Sequence, residues 1–292
     1  AAERGVVLED GGSLGYDLLS IATGASAEGA DLPGVAEHAL RVKPISQAVE
    51  IVRALERAAR ASGPAVVVVG GGAAGIELAL AARARLRQLD RPAAGVTVIE
   101  SGPRLLGGRM AVAERAVARA LAANRVAVRL GSKVAAVAAD ALHLDTGAAL
   151  PADLVIWATG AAPPPLLRKS GLRVDARGFL LVDDRLRSVS DPAVFATGDA
   201  ATLEDYPDTP KAGVYAVREG PVLWRNLAAA ARGVALVTRY RPQPRFLALL
   251  NTGDGRAVVS YAAAATWSTW GMQLKDWIDR RFVRRFQALE RA

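Results

Sequence analysis

The stretch Val66-Val67-Val68-Val69-Gly70-Gly71-Gly72-Ala73-Ala74-Gly75-Ile76-Glu77 constrains this chain more than any other. Ala65 to Val69 is all apolar and reads as a short strand buried on both faces. A glycine-rich turn follows, then a helix from about Ala73 to Gln88, then a strand from Gly95 to Glu100. Strand, turn, helix and strand in that order make a βαβ unit, the setting in which GxGxxG carries information. Gly70 allows the tight turn. Gly72 lets the backbone approach a pyrophosphate, and Gly75 lets the helix pack close on the strand. The helix start at Ala73 and Ala74 offers free N–H groups and a positive dipole end to phosphates. Glu100 ends the second strand, where a carboxylate accepts hydrogen bonds from the adenine ribose hydroxyls and repels a 2′-phosphate. The pattern therefore predicts NAD(H) binding, with NADH favoured over NADPH. Arg104 stands nearby, either softening that preference or simply solvated. Glu77, in the first turn of the helix, either complements the helix dipole or touches the nicotinamide end.

Elsewhere the pattern predicts strands at Val6–Glu9 and Leu14–Ala22 around Gly11-Gly12, with Asp31 to Pro44 as loop. Ser46 to Ala61 reads as an amphipathic helix with Val49, Val52, Leu55 and Ala59 on one face. Ala111 to Ala123 is another helix. Val126–Leu130, Lys133–Ala139, Leu142–Asp145 and Leu154–Ala158 read as strands. The prolines at 163 to 165 force a crossover. Phe179–Val182 and Val194–Ala196 are strands, and Lys211 to Ala231 is mostly helix. Phe246–Leu250 and Ala257–Ala262 form a hairpin across Asp254-Gly255, and the tail from Trp267 onward is helical.

Composition narrows the chemistry. With no cysteine, the chain has no disulfide, thiolate metal site or thiol nucleophile, so redox chemistry falls to a bound cofactor. Two histidines, His38 and His143, make a histidine-rich metal site an unpromising reading. The net charge of +8 comes without a basic-aromatic reading motif, which argues against nucleic acid. No apolar run is long enough to span a membrane. The start, Ala1-Ala2-Glu3-Arg4-Gly5, is not a signal peptide and has no initiator Met, the expectation for a fragment or processed chain.

Three segments repeat one theme. Tyr16–Ala25 and Asp153–Ala161 are apolar strands ending in Ala22-Thr23-Gly24 and Ala158-Thr159-Gly160. Asp191–Ala200 ends in Ala196-Thr197-Gly198-Asp199. Glycine at a strand end lets the chain pass close to a ligand, and Asp199 suits a polyol. On these motifs the chain resembles the pyridine nucleotide–disulfide oxidoreductase superfamily, and within it type II NADH dehydrogenase-like proteins. The segment Tyr240–Arg256 is similar to the branch associated with selenophosphate synthetase. The resemblance implies two Rossmann-like dinucleotide-binding domains, each a parallel sheet plus β-meander in three layers, with a C-terminal α+β tail. It implies crossings between FAD and NAD(H) domains at the two Ala-Thr-Gly segments, and FAD contacts at Ala22, Thr23, Gly24, Gly198 and Asp199. Lys211, Ala212 and Gly213 match a helix start facing the flavin ring, although Lys211 alone also suits an exposed helix-start lysine. The implied layout is residues 1–45 and 164–235 for FAD, the first βαβ of that domain being absent. Residues 46–163 are then for NAD(H), and 236–292 are the hairpin and amphipathic helix.

The implied activity is that of an FAD-dependent NADH dehydrogenase, with Glu77 and Lys211 as candidate catalytic residues and a quinone as electron acceptor. Cysteine-dependent disulfide reductases and sulfide:quinone reductases of the cysteine type are excluded. Trp267, Trp270, Leu274, Trp277, Ile278, Phe282 and Phe286 fall at helical spacing among Lys275, Arg280, Arg281, Arg284 and Arg285. Such a helix suits an anionic membrane surface at 267–286, the inner face for a cytoplasmic protein. It equally suits the chain's own flavin domain, a homodimer partner or a fused domain. Two rival readings stand: a ferredoxin- or rubredoxin-type reductase serving a small acidic protein, and an NADH-binding fragment that is not an enzyme.

Overall fold

A computed structural model describes residues 4–43, 48–108 and 110–287. The chain divides into two compact units, one of residues 27–160 and 245–292, the other of residues 1–26 and 161–244.

The first unit is built on five parallel strands, β1 (Ala39–Arg41), β2 (Ala65–Val69), β3 (Gly95–Ile99), β4 (Val126–Arg129) and β5 (Leu154–Trp157). Their order in the sheet is β1-β5-β2-β3-β4. β2 is interior, with Val66 beside Val96 on one side and beside Leu154 on the other. The period-2 alternation of a strand sorts its valines. Val66 and Val68 join a core with Ile76, Leu80 and Val98, while Val67 and Val69 join another with Val137, Leu142 and Trp157. Helices α1 (Ala48–Ala58), α2 (Ala73–Gln88) and α3 (Ala111–Ala123) supply the first core. An antiparallel sheet of Val134–Val137, Ala141–Leu144 and Ala149–Pro151 supplies the second. The result is the expected three-layer Rossmann-like α/β arrangement.

The stretch read as loop, 31 to 44, holds a helical turn at Val35–His38 and then β1, which pairs with β5 through Leu40 and Ile156. On α1 the buried face is Ile51, Ala54 and Leu55, while Val49 and Val52 are exposed. The expected start of that helix at Ser46 lies outside the described residues. The C-terminal segment is a three-stranded antiparallel sheet, Ala248–Asn251, Ala257–Tyr261 and Ala264–Ser268, whose Leu250 and Val258 join the α2–α3 core. The last helix runs over Thr269–Gln287. Trp267 is therefore on a strand and not on the amphipathic helix. Its indole N–H donates to Thr252 (3.0 Å), and Arg256 stacks over its ring at 3.8 Å. Gly271 is buried against Val259, and Trp270, Trp277, Phe282 and Phe286 are exposed. Among the described residues no helix is long and apolar enough to cross a membrane.

The second unit carries two parallel strand pairs. Leu19–Ile21 lies beside Val194–Ala196, and Leu180–Val182 beside Ala201–Leu203. Its core gathers Ile21, Leu180, Val194 and Tyr240. The helix Gly213–Ala231 follows. The stretch Leu14–Ala22 is not one strand. Ser13–Gly15 closes an antiparallel hairpin with Gly5–Val7, and the chain then turns to pair Leu19 with Val194.

Candidate functional site

In the first unit the chain runs from β2 outward to β3 and β4, then crosses back to β5 on the far side of β2. Strand order reverses between β2 and β5, the place where open α/β sheets bind ligands at their carboxyl ends. A pocket of about 490 Å³ opens there, lined by Val69, Gly70, Glu100, Lys133, Trp157 and Thr159 among others.

The three glycines of the turn do different work. Gly70 has φ 115°, and a Cβ there would run into the carbonyl of Ala158. A Cβ on Gly75 would run into the carbonyl of Gly70, so only a glycine lets α2 lie this close to the strand end. A Cβ on Gly72 would meet nothing within 4 Å. Packing does not demand glycine at Gly72, so the open space in front of it is a cradle that a side chain would fill. Gly72 is the N-cap of α2 with no side-chain capping bond, and Gly72, Ala73 and Ala74 are exposed. The first amides of the helix thus lack internal partners and face outward, which suits a phosphate.

Glu100 is brought to the same place. Its two carboxylate oxygens accept the backbone N–H groups of Gly71 and Gly102, each at 2.7 Å. Oε1 also accepts the Ser101 hydroxyl at 3.3 Å, so the spare lone pair is on Oε2. Arg104, read from the sequence as solvated or as a modifier, is instead paired with Glu114 through Nε (2.9 Å) and Nη2 (2.5 Å). The Ala158-Thr159-Gly160 segment forms the opposite wall. Ala158 N–H donates to the Val69 carbonyl (2.8 Å), and the Thr159 hydroxyl and Trp157 indole both donate to the Glu28 carbonyl (2.6 and 2.8 Å). Glu28 N–H donates in turn to Gly160 (2.8 Å). Sequence reasoning missed Glu28; it has no motif of its own beyond following the first Ala-Thr-Gly segment.

Glu77 is half-buried and stands past the first turn of α2, which holds no acidic residue, so it is not the dipole partner the sequence suggests. Its Oε1 accepts the N–H of Asn251 at 2.8 Å, fastening α2 to the C-terminal sheet. Burial pushes its carboxyl up, and the Asn251 hydrogen bond and Lys275 offset part of that. Neither sequence reading of Glu77 included this clasp.

In the second unit, Ala22, Thr23 and Gly24 follow the Leu19–Ile21 strand, and Gly24 has φ 69°. Thr197-Gly198-Asp199 follow the neighbouring strand, with Gly198 at φ 67°. Their turn is held by Glu219, a buried carboxylate that accepts the Thr197 hydroxyl and the Gly198 N–H, both at 2.6 Å. Glu219 was also missed, although an acid on the inward face of a helix is a readable signal. Ala212 is the N-cap of the Gly213–Ala231 helix, again with no side-chain cap. A Cβ on Gly24 or Gly213 would meet nothing within 4 Å. These open backbone approaches fit an extended phosphate-bearing cofactor such as FAD.

Lys211 is not an exposed helix-start lysine. Its ammonium donates to the Ala201 carbonyl and to the Thr202 hydroxyl, and sits 4.3 Å from the centre of the Phe179 ring. With Asp199 and Glu219 it lines a cavity of about 10 Å³, room for one water. Burial lowers its pKa to about 8, against the pull of Asp175, Asp199 and Glu219. Between pH 8 and its ordinary 10.5 the unfolded chain keeps a proton that the folded chain has released. Stability therefore rises with pH across that window. Tyr240, pushed up to about 12 by burial, acts oppositely only above its ordinary 10.0. Urea unfolding at pH 7.5 and 9.5 should show wild type gaining on the order of 1 kcal/mol more than Lys211→Met, a figure reduced for partial exposure. Parallel behaviour of the two proteins would remove the buried-ammonium account.

A family model described as pyridine nucleotide-disulphide oxidoreductase matches residues 2–226. An NADH dehydrogenase-like protein of Mycobacterium tuberculosis is 36% identical over 215 residues, covering 69% of this chain and 53% of the relative. A demethylphylloquinone reductase of Synechocystis is 28% identical over 256 residues, covering 85% of this chain and 62% of the relative. Among solved structures, the sulfide:quinone oxidoreductase of Aquifex aeolicus superposes with a TM-score of 0.80 over 97% of this chain and 72% of that one, at 19% identity. That last likeness is one of fold. The chain spans about half the length of the Mycobacterium relative.

Proposed function

The chain belongs to the pyridine nucleotide-disulphide oxidoreductase family, and on that premise we propose that it serves an FAD-dependent NADH oxidoreductase, passing electrons to a quinone-like acceptor. The observation that carries the nucleotide half is Gly72. It has open space in front of it, uncapped helix amides behind it and the Glu100 carboxylate across the same turn. No demand of packing explains that combination, and a dinucleotide does.

In this reading the Gly70–Gly75 turn and the amides of Ala73 and Ala74 hold the pyrophosphate of NADH. Glu100 takes the adenine ribose hydroxyls. The Ala158–Gly160 wall, fixed by Glu28, directs the rest of the nucleotide along the β5 end of the pocket. Thr197, Gly198 and Asp199, with Ala22, Thr23 and Gly24, are the residues that would hold FAD. Glu219 keeps the Thr197–Asp199 turn in shape, and the Gly213–Ala231 helix start directs its amides at negative charge. When bound, FAD supplies the hydride acceptor. Lys211 holds a proton beside Asp199 in the small cavity of that unit. The protein's share is alignment and electrostatics.

The quinone-like acceptor is supported by the demethylphylloquinone reductase relative, whose match extends over most of the chain. It also suits the absence of cysteine, which leaves no thiol to carry electrons. The exposed Trp270, Trp277, Phe282 and Phe286 on the last helix, with their arginines, are the surface offered to a membrane.

The test is the visible spectrum of the purified chain with added FAD, then with NADH, then with a soluble quinone. Flavin bands that bleach with NADH and return with quinone are expected. Bands that return only with a small acidic iron–sulfur protein would move the acceptor to the rubredoxin or ferredoxin class. No flavin uptake with NADH still bound would reduce the chain to a nucleotide-binding module.

A further inference from the structure

We propose that Glu114 sets the dinucleotide preference by holding Arg104 away from the adenosine end of the pocket, so that its release admits a 2′-phosphate and lets the chain take NADPH. The inference rests on the nucleotide reading of the Gly70–Gly75 turn and goes one residue layer beyond it.

Arg104 stands on the loop that follows β3. That loop is fastened to the candidate ribose position on both sides of Arg104. Two residues before it, the Gly102 N–H donates to the Glu100 carboxylate at 2.7 Å. Just after it, Leu106 N–H donates to the Gly71 carbonyl at 2.9 Å, and the Leu105 side chain abuts Gly71. Arg104 thus follows Glu100 by four residues on a loop tied to the same glycine turn. An arginine fork is the side chain best matched to a phosphate.

Here the fork is already occupied. Both Nε and Nη2 of Arg104 donate to Oε2 of Glu114, at 2.9 and 2.5 Å. Glu114 lies in the first turn of α3, where its charge also suits the helix dipole. The pair is asymmetric: the Arg104 side chain is 51% exposed and the Glu114 side chain only 18%. The carboxylate is fixed by the helix, and the arginine is the partner able to swing. A 2′-phosphate would therefore have to break this pair while facing Glu100, whose charge repels it. A partly exposed ion pair is a modest barrier, so the preference it sets is one of ratio and is open to adjustment.

The test is dissociation constants for NADH and NADPH, read by nucleotide fluorescence on the full chain, in four proteins: wild type, Glu114→Gln, Arg104→Ala and the double variant. Glu114→Gln should tighten NADPH relative to NADH by roughly threefold to tenfold, the scale of one released ion pair. NADH itself should change by less than about twofold. Arg104→Ala and the double variant should both lack the gain, because the arginine carries it. A gain that survives in the double variant would overturn the proposal in favour of simple removal of negative charge. An unchanged ratio in Glu114→Gln would overturn it outright. If wild type binds neither nucleotide, the nucleotide reading itself fails, and the inference with it. Thermal unfolding of each variant separates a lost fold from a lost contact.

Discussion

Gly75→Ala should cripple the first unit, while the same substitution at Gly72 should leave it folded and cost it the nucleotide. The two glycines lie three residues apart at the start of one helix, yet a methyl group meets opposite surroundings. At Gly75 it would run into the carbonyl of Gly70, which β2 and the tight turn hold in place. Neither side can yield cheaply. The strand is hydrogen-bonded on both edges, and α2 is packed through Ile76, Ala79 and Leu80, all fully buried. Overpacking of this kind with a backbone obstacle costs about 3 kcal/mol or more. The thermal midpoint should fall by roughly 10 °C, or the protein should fail to fold. At Gly72 the methyl meets nothing within 4 Å, and φ is an ordinary −75°. Alanine is a poorer N-cap than glycine, worth about 1 kcal/mol at most. NADH affinity, however, should fall at least about tenfold, because the methyl occupies the approach of the pyrophosphate. Calorimetry with nucleotide titration on both variants decides it. A fully stable Gly75→Ala protein would show that the close approach of helix and strand is not required. Unchanged NADH binding by Gly72→Ala would place the pyrophosphate elsewhere.

The contrast also explains what could be read from the sequence. The β2–turn–α2–β3 unit is local: one apolar run, one set of glycines and one helix, each set by neighbours within a few residues. It appears with α2 at Ala73–Gln88, as the spacing predicts. The misses are non-local. β1 is three residues long and is a strand only because β5 lies beside it. Trp267 reads as helical from the sequence because its spacing with Trp270 and Leu274 is helical. The alanine-rich Ala262–Ala265 before it has little strand propensity, and only pairing with Ala257–Tyr261 makes Ala264–Ser268 extended. On α1 the valines at 49 and 52 match a helical period that the buried Ile51 and Leu55 match as well, and periodicity alone does not choose between adjacent faces. In the site, Gly70, Gly72 and Gly75 are legible because the motif is contiguous, and Glu100 because it ends the next strand of the same βαβ unit. Glu28 and Glu219 are not, since each acts on a segment far away in sequence, Glu28 on Trp157–Gly160 and Glu219 on Thr197-Gly198. Lys211 is legible by position, but the sequence leaves its exposure open, because burial by Phe179 and Thr202 depends on tertiary packing.

Glu100→Ala should weaken NADH binding by roughly thirtyfold, and the loss should be confined to the adenosine half of the ligand. The carboxylate has two tasks in one place. It accepts the Gly71 and Gly102 N–H groups, bracing the glycine turn and the following loop. It also lines the pocket with Val69, Gly70 and Thr159, and its Oε2 keeps one position to accept a further hydrogen bond. Hydrogen bonds to a charged acceptor are worth about 1.5–3 kcal/mol each, and the open Oε2 position offers one to a ribose hydroxyl. Part of that is returned by water entering the space left behind. Competition by ADP-ribose should fall as steeply as NADH binding, while nicotinamide mononucleotide, which lacks the adenine ribose, should compete as well as with wild type. Glu100→Gln separates the two tasks. Its amide keeps one acceptor oxygen for a backbone N–H but sets an NH₂ against the other, so the turn is half-braced and the charge is gone. Its NADH loss should be smaller than that of alanine, and its discrimination against NADPH should shrink, because the repulsion of a 2′-phosphate is removed. If Glu100→Ala weakens nicotinamide mononucleotide and ADP-ribose alike, the residue acts only by shaping the turn. If it weakens neither, the adenine ribose does not lie at Glu100, and the nucleotide must run through the pocket in the other direction.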